Sequence, residues 1–156
     1  MSKKPNQRDS IKLTDAELRD YLASARVITI NSIGPDGVPH PIPMFYGIED
    51  DGAIVMTTYR KSQKILNLRR DPRCSLLVED GAKYFELRGA VLYGTVELID
   101  DTDQVAAILA LVATRQGEPS DESDEALAGR RYIASKRTGI RIRPARIASW
   151  DHRKLV

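Results

Sequence analysis

Apolar residues change their spacing several times along this chain, and each change marks an element. Leu18, Tyr21 and Leu22 fall at helical spacing behind Thr14-Asp15-Ala16-Glu17, which fits a capping box with Thr14 as N-cap and a helix to about Ala23. From Val27 the period becomes that of a strand, and Val27, Ile28, Ile30 and Ile33 run into the turn Gly34-Pro35-Asp36-Gly37. Val38 to Ile48 returns as the second arm of a hairpin. Its prolines at 39, 41 and 43 cannot donate to a ladder, so one edge of this arm is expected to stay unpaired beside a groove. Asp50-Asp51-Gly52 turns the chain into Ile54–Thr58, a β-prone run ending in two hydroxyls. Ser62 is placed to cap a helix over Gln63 to Arg70, Asp71-Pro72 stops it, and a further strand follows to Val78.

The second half reads with longer elements. Tyr84 to Ile99 is expected as one long strand. Phe85, Leu87, Val91 and Tyr93 share one parity, and Leu92, Val96 and Leu98 the other. Such a switch predicts a bend, for which Gly89 or Gly94 is the candidate. Val105, Ile108, Leu109 and Val112 then predict a helix from a Thr102 cap to about Gln116. A short helix is expected from Asp121 to about Arg130, and Ile140–Arg143 and Arg146–Trp150 read as strands split by Pro144. Six or seven strands with two or three helices make a mainly β, α+β fold, a small antiparallel barrel closed by a bent strand and carrying peripheral helices.

Composition narrows the class. The 156 residues suffice for one domain with its own core, expected over 12–156 behind a polar, disordered tail of residues 1–11. A net charge of +2 is too small for nucleic-acid binding by bulk electrostatics, and no aromatic platform interleaves with the cations. One cysteine and two histidines supply neither a disulfide nor a zinc-ligand set, so no metal is expected, and Cys74 reads as an inert buried thiol. No stretch approaches a membrane span or a signal peptide, and a cytoplasmic protein is expected.

Charge is unevenly placed, and this brings in chemistry. Between Arg60 and Arg73 lie Arg60, Lys61, Lys64, Arg69, Arg70 and Arg73 against a single acid, Asp71. Hydroxyls at Thr57, Thr58 and Ser62, the free N–H groups of a helix start and these cations together favour an anion, as an anionic cofactor would be. Arg69, Arg70 and Arg73 lie past the first helical turn and suit pairing with surface acids equally well. Asn67 suits structural hydrogen bonding.

The segments GVPHPIPMFY (37–46), TTYRKSQKILNLRRDPR (57–73), YFELRGAVLYGTVELIDD (84–101) and SWDHRKL (149–155) resemble, in this order and spacing, the flavin and deazaflavin split β-barrel family. That family includes pyridoxamine 5′-phosphate oxidase and relatives that use coenzyme F420. The resemblance implies a homodimer with a cofactor groove at each end of the subunit interface. It implies that Pro41, Ile42, Pro43 and Met44 flank the tricyclic ring. Met56, Thr57, Thr58, Arg60, Lys61, Ser62, Gln63 and Lys64 are then the segment holding the cofactor and its phosphate. Trp150 is placed over a cofactor face or in the subunit interface. The oxidase branch carries Ser-Arg-Lys where this chain has Ser62-Gln63-Lys64, and Arg60 and Lys61 suit a more anionic tail. Both features turn the expectation to coenzyme F420 and to hydride transfer with a small unsaturated substrate. FMN is the alternative cofactor, for an oxidase or reductase, and a non-catalytic cofactor- or haem-binding protein is the other rival. The cofactor carries the chemistry in such enzymes, so no catalytic acid or base is assigned.

Overall fold

The computed structural model describes residues 6–156. Helix α1 (Gln7–Ser10) is one turn capped by Asn6, so part of the segment expected to be disordered is helical, while residues 1–5 lie outside the described residues. Helix α2 (Asp15–Ser24) starts as its sequence dictates. The Thr14 side chain accepts from the Glu17 N–H at 3.2 Å, and the Glu17 carboxylate accepts from the Thr14 N–H at 2.7 Å.

Eight strands follow in one curled antiparallel sheet: β1 (Val27–Ile33), β2 (Pro39–Phe45), β3 (Gly47–Ile48), β4 (Ile54–Tyr59), β5 (Arg73–Asp80), β6 (Arg88–Ile99), β7 (Arg137–Ile142) and β8 (Arg146–Asp151). Their order is β2-β1-β5-β6-β7-β4-β3, with β8 added to β6. The sheet curls because β6 serves two sets of neighbours. Its residues 88–95 pair with β5 and 88–93 with β8, whereas 96–99 pair with β7. The parity switch read from the sequence falls at this change of partners, around Gly94. The strand itself begins later than expected, since Tyr84–Glu86 form a 3-10 turn before it. A Cβ on Gly89 would stand 2.4 Å from Trp150 Cζ2, so the indole lies directly over bare backbone.

Ile28, Ile30, Ile54, Met56, Leu76, Leu92, Ile140 and Ile142 fill the barrel, joined by Tyr46, whose hydroxyl donates to the carbonyl oxygens of Leu22 and Ala25. Burial along β4 does not alternate, because its other face is also covered. Val55 packs with Ile99 and Ala134 against Val105 and Ile108 of α4 (Thr102–Arg115). Gly139 permits that approach, since a Cβ there would meet Ile108 Cδ1 at 2.9 Å.

Two helix starts differ from expectation. Asp101 caps α4, because its carboxylate accepts from the Gln104 N–H and Thr102 becomes the first helical residue. Helix α5 (Asp124–Ala134) begins after a Ser123 cap and runs four residues beyond the expected end. Its stop leaves only Ser135 and Lys136 before β7, which therefore starts at Arg137 instead of Ile140. Among the described residues no helix is long and apolar enough to cross a membrane.

Candidate functional site

The barrel is split between β2 and β4. Strand β2 pairs only with β1, so its outer edge is free, as its prolines require. Strand β4 pairs with β3 only at Ile54 and Val55, which leaves the edge of Met56–Tyr59 open on that side. A cleft of about 700 Å³ lies here, lined by Pro43, Met44 and Phe45 of β2, Thr57 of β4, Arg137 of β7 and the C-terminal half of α4. Such a volume is ordinary for a small-molecule site.

At the end of β4 the chain enters α3 (Gln63–Arg70) through the basic turn. Ser62 occupies the N-cap position, but its side chain makes no capping bond; its hydroxyl sits 3.5 Å from Thr58 Oγ1. The first N–H groups of α3 therefore keep no side-chain acceptor. Lys64 Nζ donates to Thr58 Oγ1 at 3.0 Å and is half-buried. Burial, followed by the nearby Arg137 charge, lowers the Lys64 ammonium from the ordinary lysine value. Arg137 stacks over the Tyr59 ring at 4.6 Å and points Nη1 to the carbonyl and hydroxyl oxygens of Thr57, each at 3.5 Å. Its Nε is buried with no hydrogen-bond partner among the described residues. Among the described residues neither Lys64 nor Arg137 has a carboxylate within 4.0 Å. The Arg137 charge thus disfavours the Lys64 ammonium, an effect that a nearby anion would offset.

The expected site residues separate into three groups. Thr58, Ser62 and Lys64 come together at the end of β4, while Thr57, of the other parity, meets Arg137 and lines the cleft with Pro43 and Met44. Pro41 is exposed farther along β2, and Ile42 packs its side chain against the core. The remainder point elsewhere in this chain. The Met56 side chain is fully buried in the barrel, because side chains of β4 point alternately to the interior and to the α4 side. Gln63 donates to Asn67 Oδ1 at 2.8 Å, and the buried Asn67 donates to Ser32 Oγ at 3.0 Å. Arg60 turns to Asp100, 3.8 Å away, and to the carbonyls of Asp100 and Arg137. Lys61 is exposed. Trp150 lines a different hollow, with Ile147, His152 and the Asn6–Lys12 segment.

Sequence reasoning missed Arg137, Arg26 and Gln116. The last two sit where the cleft meets the end of α4, with Arg26 Nη2 3.4 Å from Gln116 Oε1. Arg137 lay outside the strand as expected from Ile140, and the one available signal was the β-branched Thr138 beside it.

Solved structures place this geometry among known proteins. The conserved hypothetical protein Rv2991 from Mycobacterium tuberculosis is 41% identical, with a TM-score of 0.87 over 96% of this chain and 92% of its own. An F420 reductase, 20% identical, matches with a TM-score of 0.61 over 92% of this chain and 98% of its own. A FAD-binding protein from Mesorhizobium loti, 19% identical, matches with a TM-score of 0.66 over 88% of this chain and 94% of its own. The last two likenesses speak to the fold. Residues 14–151 match the family model described as pyridoxamine 5′-phosphate oxidase, and with its split antiparallel barrel the chain belongs to that family.

Proposed function

We propose that this protein is an oxidoreductase that holds coenzyme F420 at the end of β4 and serves hydride transfer to or from a small unsaturated reactant. The observation that carries the reading is the pair Lys64 and Arg137, two desolvated cations without a carboxylate partner beside the hydroxyls of Thr57 and Thr58. A phosphate suits this set: it accepts from Lys64, from the orphaned Arg137 guanidinium and from the uncapped N–H groups of α3. When bound, the deazaflavin supplies the hydride chemistry. The chain's own part is to bind the anion, to set the ring against Pro43 and Met44, and to keep water off it with the apolar wall of α4. Gln63 in the place of the oxidase arginine and the exposed Lys61 support the deazaflavin, as does the likeness to an F420 reductase.

FMN is the second reading. It is favoured by Arg60, which Asp100 draws away from any anionic tail. Equilibrium binding to the apo protein, followed by fluorescence quenching, separates the two. Coenzyme F420 is expected to bind at least tenfold more tightly, a gap of about 1.4 kcal/mol. Protein that purifies yellow with stoichiometric FMN and shows no F420 affinity would transfer the assignment to the flavin.

The same reading makes the working form a homodimer. Val38 and Phe45, on and beside the free-edged β2, are 59% and 53% exposed, apolar surface that a second copy would cover. Sedimentation at micromolar concentration that finds only a 17.4 kDa species would count against it.

A further inference from the structure

Two buried side-chain polar atoms among the described residues lack a hydrogen-bond partner, Arg137 Nε and Gln116 Nε2, and both residues line the one cleft. An orphaned buried donor is costly, so two of them lining one cleft mark a place suited to acceptors. Arg137 is accounted for by the cofactor's anion. Gln116 is not. It sits at the C-cap of α4, its Oε1 takes the Arg26 guanidinium, and its amide nitrogen is left over. Between these ends the α4 wall is apolar, made of Leu109, Val112 and Ala113. Arg26 has no carboxylate within 4.0 Å among the described residues, and the cleft's single acid, Glu118, is exposed.

We propose that the α4 wall of this cleft binds the reactant, and that the reactant is a flat apolar molecule carrying an sp² oxygen, carbonyl or carboxylate, received by Gln116 Nε2 and Arg26. The assignment rests on the cofactor reading in one respect, that the β2 and β4 wall is left to the cofactor. The apolar stretch takes the body by burial and gives little orientation. Direction comes from the donors at the α4 end, since a ligand lacking the oxygen leaves Gln116 Nε2 unpaired as it is now.

Three naphthalenes of nearly equal shape test this, with binding read from their own fluorescence in the presence and absence of saturating cofactor. They are 2-naphthoate, 2-acetylnaphthalene and 2-ethylnaphthalene. The two with an oxygen are expected to bind at least tenfold more tightly than the ethyl compound. If 2-naphthoate leads, the end prefers a carboxylate; if 2-acetylnaphthalene leads, a neutral carbonyl. Gln116→Leu combined with Arg26→Leu should bring all three within about twofold of one another, and Ala113→Trp should weaken all three by filling the wall. Equal binding of the three by the unmodified protein, survival of the preference in the doubly substituted protein, or indifference to Ala113→Trp would each overturn the proposal. Cofactor affinity, measured separately in Lys64→Ala, keeps the two readings apart. Cofactor binding without the oxygen preference sinks the reactant site alone, whereas the preference in a chain that binds no cofactor sinks the cofactor reading alone.

Discussion

The basic stretch that dominates the sequence resolves into two regions of opposite character. In the C-terminal half of α3 and just past it, every arginine is engaged. Arg69 lies 2.9 Å from Asp100, Arg73 lies 2.6 Å from Asp71, and Arg70 donates to the Ile33 carbonyl. Asp71 responds, its carboxyl held down to about 2 by the hydrogen bonds and charge of Arg73. At the other end, Lys64 and the distant Arg137 meet hydroxyl and carbonyl oxygens and, among the described residues, no carboxylate. Arginines five to nine residues after Lys64 are thus engaged by acids or a carbonyl while Lys64 is left without a carboxylate, and the division follows from where the carboxylates lie. Charge density along the sequence locates neither group. A cation becomes available when the fold brings it close to another cation and withholds the counter-ion.

That contrast is open to direct attack. Lys64→Ala removes a charge-assisted contact worth about 1.5–3 kcal/mol, so cofactor affinity measured by titration should fall roughly tenfold to a hundredfold. Its melting temperature should hold or rise slightly, because a desolvated, repelled charge is lost. A parallel drop in stability would mean that Lys64 belongs with the structural cations. Asp100→Ala should do the reverse. The buried Thr138 hydroxyl loses the carboxylate it donates to at 2.6 Å, and Arg60 and Arg69 are left facing each other, so denaturant unfolding should lose about 1–2 kcal/mol while cofactor affinity changes little. The Thr138 hydrogen bond, more than the arginines, lowers the Asp100 carboxyl. A carboxyl lowered in the folded state contributes stability above its unfolded value of about 3.9 and loses it as pH falls through the folded value, so the two proteins' stabilities should converge in acid.

The pH dependence of binding is a subtler measure. The Lys64 ammonium is lowered, so it gives up its proton below the ordinary lysine range, and anion affinity should start to decline at correspondingly lower alkaline pH. Lys64→Ala should lack that limb, and a limb that persists in the variant belongs to some other group. Smallest of all should be Arg73→Ala. An exposed, solvent-screened pair contributes little, and affinity should stay within twofold of the unaltered protein. Equal affinity losses in Lys64→Ala and Arg73→Ala would dissolve the distinction into a diffuse basic surface.

What the sequence made legible was local. The Thr14 capping box, the Ser62 cap position, the Asp-Pro stop after α3 and the unpaired edge of the proline strand are each set by residues within a few positions of one another. Partnerships across the sheet were not legible. Arg137 reaches Tyr59 because β7 and β4 pair in one particular register, which depends on where α5 stops some residues earlier. Nothing near Met56 says which face of β4 points into the barrel, and nothing near Arg60 announces Asp100. Gln116 escaped notice for a similar reason: at the end of a helix it reads as an ordinary polar residue until the cleft beside it is seen.

Arg115, in the last turn of α4, lies over the Tyr46 ring at 4.0 Å and donates to the carbonyls of Leu22, Ala23 and Ala25 at the end of α2. The two helix termini are thereby stapled together one residue before Gln116. Backbone amides of α2 and of the last turn of α4 should therefore exchange with deuterium in a single cooperative opening, in spite of some ninety intervening residues. Traffic into the cleft then has to pass through its mouth, since lifting the helical wall would require uncapping α2 in the same step.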